Sequence, residues 1–334
     1  MGIKMVYIEA ESKNAAFHFS VEEYIMRCFP FNEPVMMIWQ ADKCAMLGRN
    51  QIAEAEIDIS CVRQEGIQII RRSSGGGTIF TDAGTLLYTM ILPDAEQYSL
   101  DTAREKIAAP VVKALNEMGI PAKLEGRNDI LVEGKKVSGM AQYARHDRIC
   151  THGSLLYDTD LEMLTRVLRV DEGKISSKGL RSVRSRVVNL KEYMDSSCST
   201  YDFWALLKKN LFSGQYIEKY ALTEYDLTQI DLIFQEQYGN PSWTFEQSPR
   251  FSFHNSKRFY GGKVEVYLDI DKGAVSSCSI RGDFLGVFPI RGLEMLFENK
   301  LFQYEVFSGA LDGISLQPYL GNITVDEFLS CMFN

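Results

Sequence analysis

The sequence predicts an α+β protein in which a large mixed or antiparallel sheet packs against helices, followed by a smaller α+β unit. Over the first two thirds, short apolar runs alternate with stretches whose apolar residues recur at helical spacing. Several strands follow one another as hairpins, which argues against a doubly wound parallel sheet. At 334 residues the chain exceeds one small core, and the polar stretch bracketed by Pro241 and Pro249 marks a boundary. The expected units are 1–245 and 250–334.

The first strand is Val6-Tyr7-Ile8, and an amphipathic helix is expected over 14–29. Positions 35–40 and 44–47 read as a strand pair. Positions 67–70 and 77–92 supply strands on either side of a glycine-rich loop. Over 102–118, Ile107, Val111, Val112, Leu115 and Met118 fall at helical intervals, with Asp101 as N-cap and Gly119 and Pro121 as the stop. Extended stretches then cover 122–124, 129–132, 136–143 and 153–157, and helices are expected over 161–170, 201–212 and 222–238. Beyond the boundary, 263–270 alternates strictly, Asp271-Lys272-Gly273 is a turn and 274–280 returns. Positions 292–302 and 324–333 read as helices. Nothing in this C-terminal unit reads as catalytic.

The hydrophobic fraction of 46% and charged fraction of 24% are those of a soluble globular protein. A net charge of −8 argues against bulk binding to nucleic acid. The N-terminus turns acidic at Glu9, too soon for a secretory signal, and no apolar run reaches the length of a membrane span. Myristoylation at Gly2 is rejected, because Met5 and Val6 occupy the region where a serine or threonine is wanted. The seven cysteines form no C-x-x-C pair, so they read as reduced thiols of a cytoplasmic protein.

The chemistry concentrates in four clusters. Arg71-Arg72-Ser73-Ser74-Gly75-Gly76-Gly77-Thr78-Ile79-Phe80 sits between two strands. Three glycines are tolerated where φ must be positive or where a ligand touches backbone, and arginines at the root suit a phosphate. The competing reading is a flexible hairpin with solvated arginines. The second cluster joins Gly126-Arg127-Asn128-Asp129 to Lys135-Lys136-Val137-Ser138-Gly139. Lys136 there is either a mobile point charge aimed at an anion or a solvated turn lysine. Asp129 is a candidate Mg²⁺ ligand or an ordinary loop aspartate. The third is His152-Gly153-Ser154-Leu155-Leu156, where the histidine is either a ligand donor or a structural hydrogen-bonder. The fourth, over 178–190, places Lys178, Arg181, Arg184 and Arg186 within nine positions, as a phosphate contact or a solvated loop.

Taken in order, Arg-Arg-x-Ser-Gly-Gly-Gly, Gly-Arg-Asn-Asp, Lys-Val-Ser-Gly-x-Ala, His-Gly-Ser-Leu-Leu and Ser-Val-Arg-Ser-Arg-Val-x-Asn-Leu resemble the lipoate–protein ligase family. Leu47-Gly48-Arg49-Asn50-Gln51 matches an earlier family block, and Asn240-Pro241-Ser242-Trp243 matches the junction with an accessory domain. The resemblance implies a biotin/lipoate ligase-like fold over nearly the whole chain. It implies ATP-dependent activation of lipoate, or octanoate, to an acyl-adenylate, with Mg²⁺. Transfer to a lysine follows, on lipoyl domains of 2-oxoacid dehydrogenase E2 subunits or on the glycine cleavage H protein. By the same resemblance Arg72, Gly77, Thr78, Ile79 and Phe80 contact ATP, and Gly75 and Gly76 admit close backbone approach. Lys136 touches both ATP and lipoate, and Ser73, Gly76 and His152 contact lipoate. Strands around Leu86, Val137 and Leu155 are expected to supply the apolar slot for the acyl chain.

One position departs from the pattern: Thr81 precedes Asp82 where the family often has histidine, so any role needing imidazole is in doubt. Two other functions compete. An ATP-independent octanoyl or lipoyl transferase needs an activated thiol, and Cys150 is the cysteine nearest the site blocks. A non-catalytic lipoate or nucleotide binder would ordinarily lack the central lysine. DNA binding is not expected, because no helix-turn-helix precedes the first helix.

Overall fold

The computed structural model describes residues 4–30, 32–126, 128–169, 186–245, 252–271 and 273–333. The strands before residue 245 are, in chain order, β1 (Lys4–Ile8), β2 (Val35–Trp39), β3 (Cys44–Leu47), β4 (Gln68–Arg71), β5 (Ile79–Thr81) and β6 (Thr85–Leu92). They continue with β7 (Ala122–Glu125), β8 (Asp129–Val132), β9 (Lys135–Arg145), β10 (Arg148–Leu156) and β11 (Tyr216–Tyr220). Eight form one sheet in the order β11-β1-β2-β6-β10-β9-β8-β7, and β4-β3-β5 form a small second sheet. Strand β1 runs parallel to both its neighbours and the rest of the large sheet is antiparallel, giving the mixed sheet expected. The anticipated pairing of 35–40 with 44–47 is not made. Strand β2 joins β1 and β6, while β3 joins β4 and β5.

Both faces of the large sheet are apolar, so its central strands are buried along their whole length. One face carries Met36, Ile38, Tyr88 and Leu155 against the helices Leu100–Glu117 and Thr200–Leu211. The other carries Val35, Met37, Leu87 and Cys150 against helix α1 (Ala15–Cys28). Asn14 caps α1, accepting from the Ala16 N–H at 2.9 Å. The amphipathic expectation for α1 fails, because the Glu224–Ile233 helix and the turn Phe234–Tyr238 cover its outer side. Glu22 and Glu23 on this helix are buried and paired. Helix Leu100–Glu117 begins at Ser99, whose hydroxyl accepts from the Thr102 N–H at 3.1 Å; Asp101 instead pairs with Arg104.

The C-terminal segment forms a separate core from β12 (Phe253–Phe259), β13 (Gly262–Asp271), β14 (Ala274–Gly282) and the helix Val325–Phe333. The expected helix over 292–302 shortens to Arg291–Glu294 followed by turns. Among the described residues, three backbone hydrogen bonds tie this segment to the rest: Gly76 N–H to Phe284 O at 3.0 Å, Gly282 N–H to Asn50 O at 2.9 Å, and Ala144 N–H to Val287 O at 3.1 Å. Among the described residues no helix is long and apolar enough to cross a membrane.

Candidate active site

The two arginines at the root of the glycine loop hold the protein's own backbone. Arg71 is 1% exposed, and its guanidinium donates to the carbonyls of Gly48, Arg49, Gln51, Trp243 and Thr244 at 2.6–3.1 Å. It clamps the 48–51 block to the 240–244 junction, and a neutral residue there would leave these carbonyls unpaired. Arg72 donates to Ser74 Oγ at 3.0 Å and to the carbonyls of Met46, Gly75 and Gly77 at 2.7–2.9 Å. Burial, then the charge of Arg71, lowers its pKa to about 10. Arg72 thus braces the loop from within and still borders the cavity described below.

The glycines divide by what they face. A Cβ at Gly48 would overlap the Gly76 carbonyl oxygen, and one at Gly75 would lie 2.6 Å from Phe284 O. Gly76 has φ +87° and would meet Leu285 Cδ2 at 2.9 Å. Close approach at Gly75 and Gly76 is therefore to the C-terminal segment in this conformation. Gly77 faces open space and borders the cavity. Gln51 fixes the next residue: its Oε1 accepts from the Gly48 N–H and the Thr78 hydroxyl, both at 2.8 Å.

Beside this loop lies a cavity of about 310 Å³. Lys136 lines it, with its ammonium 2.8 Å from Asp129 Oδ1. The local sequence explains this placement. Strand β9 carries a bulge opposite Ile130 and Leu131, so Lys136 pairs with Leu131 while Ser138 pairs with Ile130. The ammonium then lies across Gly139, where a Cβ would be 2.7 Å from Nζ and 2.9 Å from Cε. Gly139 is needed to seat the lysine, a role that its place in the motif did not reveal. Gly153 makes similar room for the ring of Tyr88, whose hydroxyl bonds Ser138 Oγ at 2.8 Å.

His152 borders the cavity with both ring nitrogens engaged: Nδ1 lies 3.0 Å from Glu22 Oε2 and Nε2 lies 2.7 Å from Ser74 Oγ. With Nδ1–H donating to Glu22, Nε2 accepts the Ser74 O–H, whose oxygen already accepts from Arg72. This order resembles a hydrolase triad. However, Ser74 is fully buried, also accepts from Arg72 and does not border the cavity, so the line tethers the loop. Ser73 is turned away from the cavity too. Its hydroxyl bonds Tyr238 Oη at 2.7 Å and accepts from Gln237 Nε2 at 3.2 Å. Thr78, Ile79 and Gly76 line the cavity, whereas Phe80 is buried in the core of the small sheet. Thr81 is fully buried, and its hydroxyl has no hydrogen-bond partner among the described residues. The basic positions 178–185, and Arg127, lie outside the described residues.

The apolar lining is Phe19, Trp39, Met46, Ile79, Leu87 and Met140. The expected slot around Leu86, Val137 and Leu155 is a correction: all three belong to the core on the opposite sheet face. Strand alternation puts their neighbours Leu87, Lys136 and Ser154 on the cavity side. Cys150 shares the face of His152 but is fully buried and does not line the cavity. Burial pushes its thiol well above the ordinary value, the reverse of an activated nucleophile. One wall of the cavity comes from Arg258, Phe259, Tyr260, Gly262 and Asp283 of the C-terminal segment, which had shown nothing catalytic.

The cavity joins apolar side chains, a glycine loop and a carboxylate-held lysine, a lining suited to an acidic substrate with an apolar tail. Residues 14–212 match the family model of the lipoyl protein ligase A/B catalytic domain, and residues 248–332 match the bacterial lipoate protein ligase C-terminus. Lipoate-protein ligase LplJ of Bacillus subtilis is 34% identical over 98% of this chain and 100% of its own. Lipoate–protein ligase 1 of Staphylococcus aureus is 31% identical over 94% and 95%. In structure, the P. falciparum LipL1 complex with lipoate superposes with a TM-score of 0.76, at 20% identity over 98% of this chain and 97% of that one. A lipoate-protein ligase A bound with ATP gives 0.63 at 24% identity over 73% and 99%; both likenesses concern the fold. The chain belongs to the lipoate–protein ligase family and is an enzyme of that class.

Proposed function

We propose that the cavity carries out both halves of an ATP-dependent lipoylation. In the first, a carboxylate oxygen of lipoate attacks the α-phosphorus of ATP. The bond to the β-phosphate oxygen breaks, and pyrophosphate leaves with the electron pair. In the second, a lysine amine of a lipoyl domain attacks the acyl carbon, loses a proton and displaces AMP. The carrying observation is Lys136, seated over Gly139, held by Asp129 and bordering both the glycine loop and the apolar lining. Its ammonium offsets the repulsion between carboxylate and phosphate that opposes the first step. Gly77 and Thr78 offer open backbone and a hydroxyl to the nucleotide, with Arg72 and Gln51 holding their shape. His152, through Ser74, positions the loop.

A divalent ion fits this donor set through Asp129, since Mg²⁺ takes one or two carboxylates together with substrate phosphates. When bound, it offsets charge on the triphosphate. Positions 1–245 then act as the catalytic domain and 250–334 as an accessory domain. The acceptors are lipoyl domains of E2 subunits or the glycine cleavage H protein, and the free cysteines fit the reducing cytoplasm.

The test is stoichiometry. With lipoate, ATP and a lipoyl domain, one AMP and one pyrophosphate are expected per modified lysine. Modification of the lysine without ATP would overturn the reading and favour an acyl transferase.

A further inference from the structure

We propose that Arg258, carried by the C-terminal unit, is a phosphate-binding residue for the departing pyrophosphate. The proposal rests on the adenylation reading above. Three cationic side chains border the cavity among the described residues: Arg72, Lys136 and Arg258. Arg72 donates to the carbonyls of Met46, Gly75 and Gly77 and to Ser74, and Lys136 is placed by Asp129 and Gly139. Neither serves the far end of a triphosphate as well as a second, planar guanidinium, whose fork matches paired phosphate oxygens.

The geometry holds Arg258 for that role. It lies one residue from the end of β12, paired across the hairpin with Lys263, and the turn brings Gly262 into the cavity wall. Gly262 has φ +135°, and a Cβ there would lie 2.9 Å from Phe284 Cα and 3.0 Å from Asp283 Oδ1. The hairpin tip is therefore folded tightly onto 283–284. Asp283 Oδ2 holds the guanidinium at 3.2 Å, and its Oδ1 accepts the Lys263 N–H at 2.5 Å. The adjacent Phe284 carbonyl accepts the Gly76 N–H at 3.0 Å. Arg258 is thus linked through Asp283 and Phe284 to the glycine loop itself. As the α-phosphorus–oxygen bond breaks, the electron pair and its negative charge pass to pyrophosphate, which Arg258 receives.

The test is lipoate-dependent exchange of labelled pyrophosphate into ATP by the full chain, measured against pyrophosphate concentration. Arg258→Met is expected to raise the KM for pyrophosphate about 10²-fold. Arg258→Lys keeps the charge opposite Asp283 but loses the fork, and is expected to raise it about tenfold. The lysine variant decides the matter if the methionine variant does not fold. An unchanged KM for pyrophosphate in the folded variants, even with a lower maximal rate, would overturn the assignment and leave Arg258 a docking residue. Wild-type protein without any exchange would remove the adenylation reading and this assignment with it.

Discussion

Gly139→Ala separates seating of the lysine from stability of the fold. A Cβ at this position would lie 2.7 Å from Lys136 Nζ, 2.9 Å from Cε and 3.7 Å from Asp129 Oδ1. Comfortable contact for a carbon is about 3.5–4.0 Å, so the ammonium must retreat by about 1 Å. The obstacle is the far end of a flexible side chain, and Gly139 is not among the residues with positive φ, so the strand accepts alanine. The expected cost to stability is under about 1 kcal/mol. A displacement of about 1 Å at the reacting centre costs about 10²-fold in rate, or about 2.7 kcal/mol of barrier. The assay is initial-rate pyrophosphate exchange at saturating substrates beside a thermal melt. Wild-type exchange by Gly139→Ala would refute the seating argument. A large fall in Tm would show that the packing argument is wrong. Gly153→Ala provides the contrast, because its Cβ would overlap the buried Tyr88 ring and cost about 1–3 kcal/mol of stability.

Arg71→Met should destabilise the protein by about 3 kcal/mol or more, read as a lower urea midpoint, because five carbonyls lose a buried donor. Cys150→Ala should keep ATP-dependent exchange near wild type at a stability cost of about 1 kcal/mol, and loss of exchange in a folded variant would revive the thioester route. His18 is fully buried against Trp39, and burial lowers its pKa from 6.5 to about 4. The unfolded chain therefore binds more protons below pH 6.5. The contribution is fully present above that pH and is lost as pH falls toward 4, by up to about 3 kcal/mol. A urea midpoint that falls over this window in wild type, with a shallower fall in His18→Gln, is the expected result.

The chemistry of the site was more legible than its walls. Lys136 and the glycine loop were each ambiguous alone, since a solvated lysine or a flexible hairpin fits the same residues, and they stood out only through the order of motifs that resembles the family. The apolar wall of the cavity was misplaced by one residue, to Leu86 where Leu87 lines it, because both sheet faces are apolar and alternation alone does not say which is hollow. The helix over 14–29 was expected to be amphipathic because nothing local shows that a second helix covers α1. Strand β11 was missed since Tyr216–Tyr220 is a half-exposed edge held by β1, some 200 residues earlier in sequence. Arg258 and Asp283 reach the cavity only through tertiary docking of the C-terminal unit, which no local pattern encodes.

The most direct measurement is lipoate-dependent pyrophosphate exchange by wild type and by Lys136→Ala, with matched melting curves. Exchange is expected in wild type and none above background in the folded variant. Equal exchange in both would contradict the central place given to Lys136.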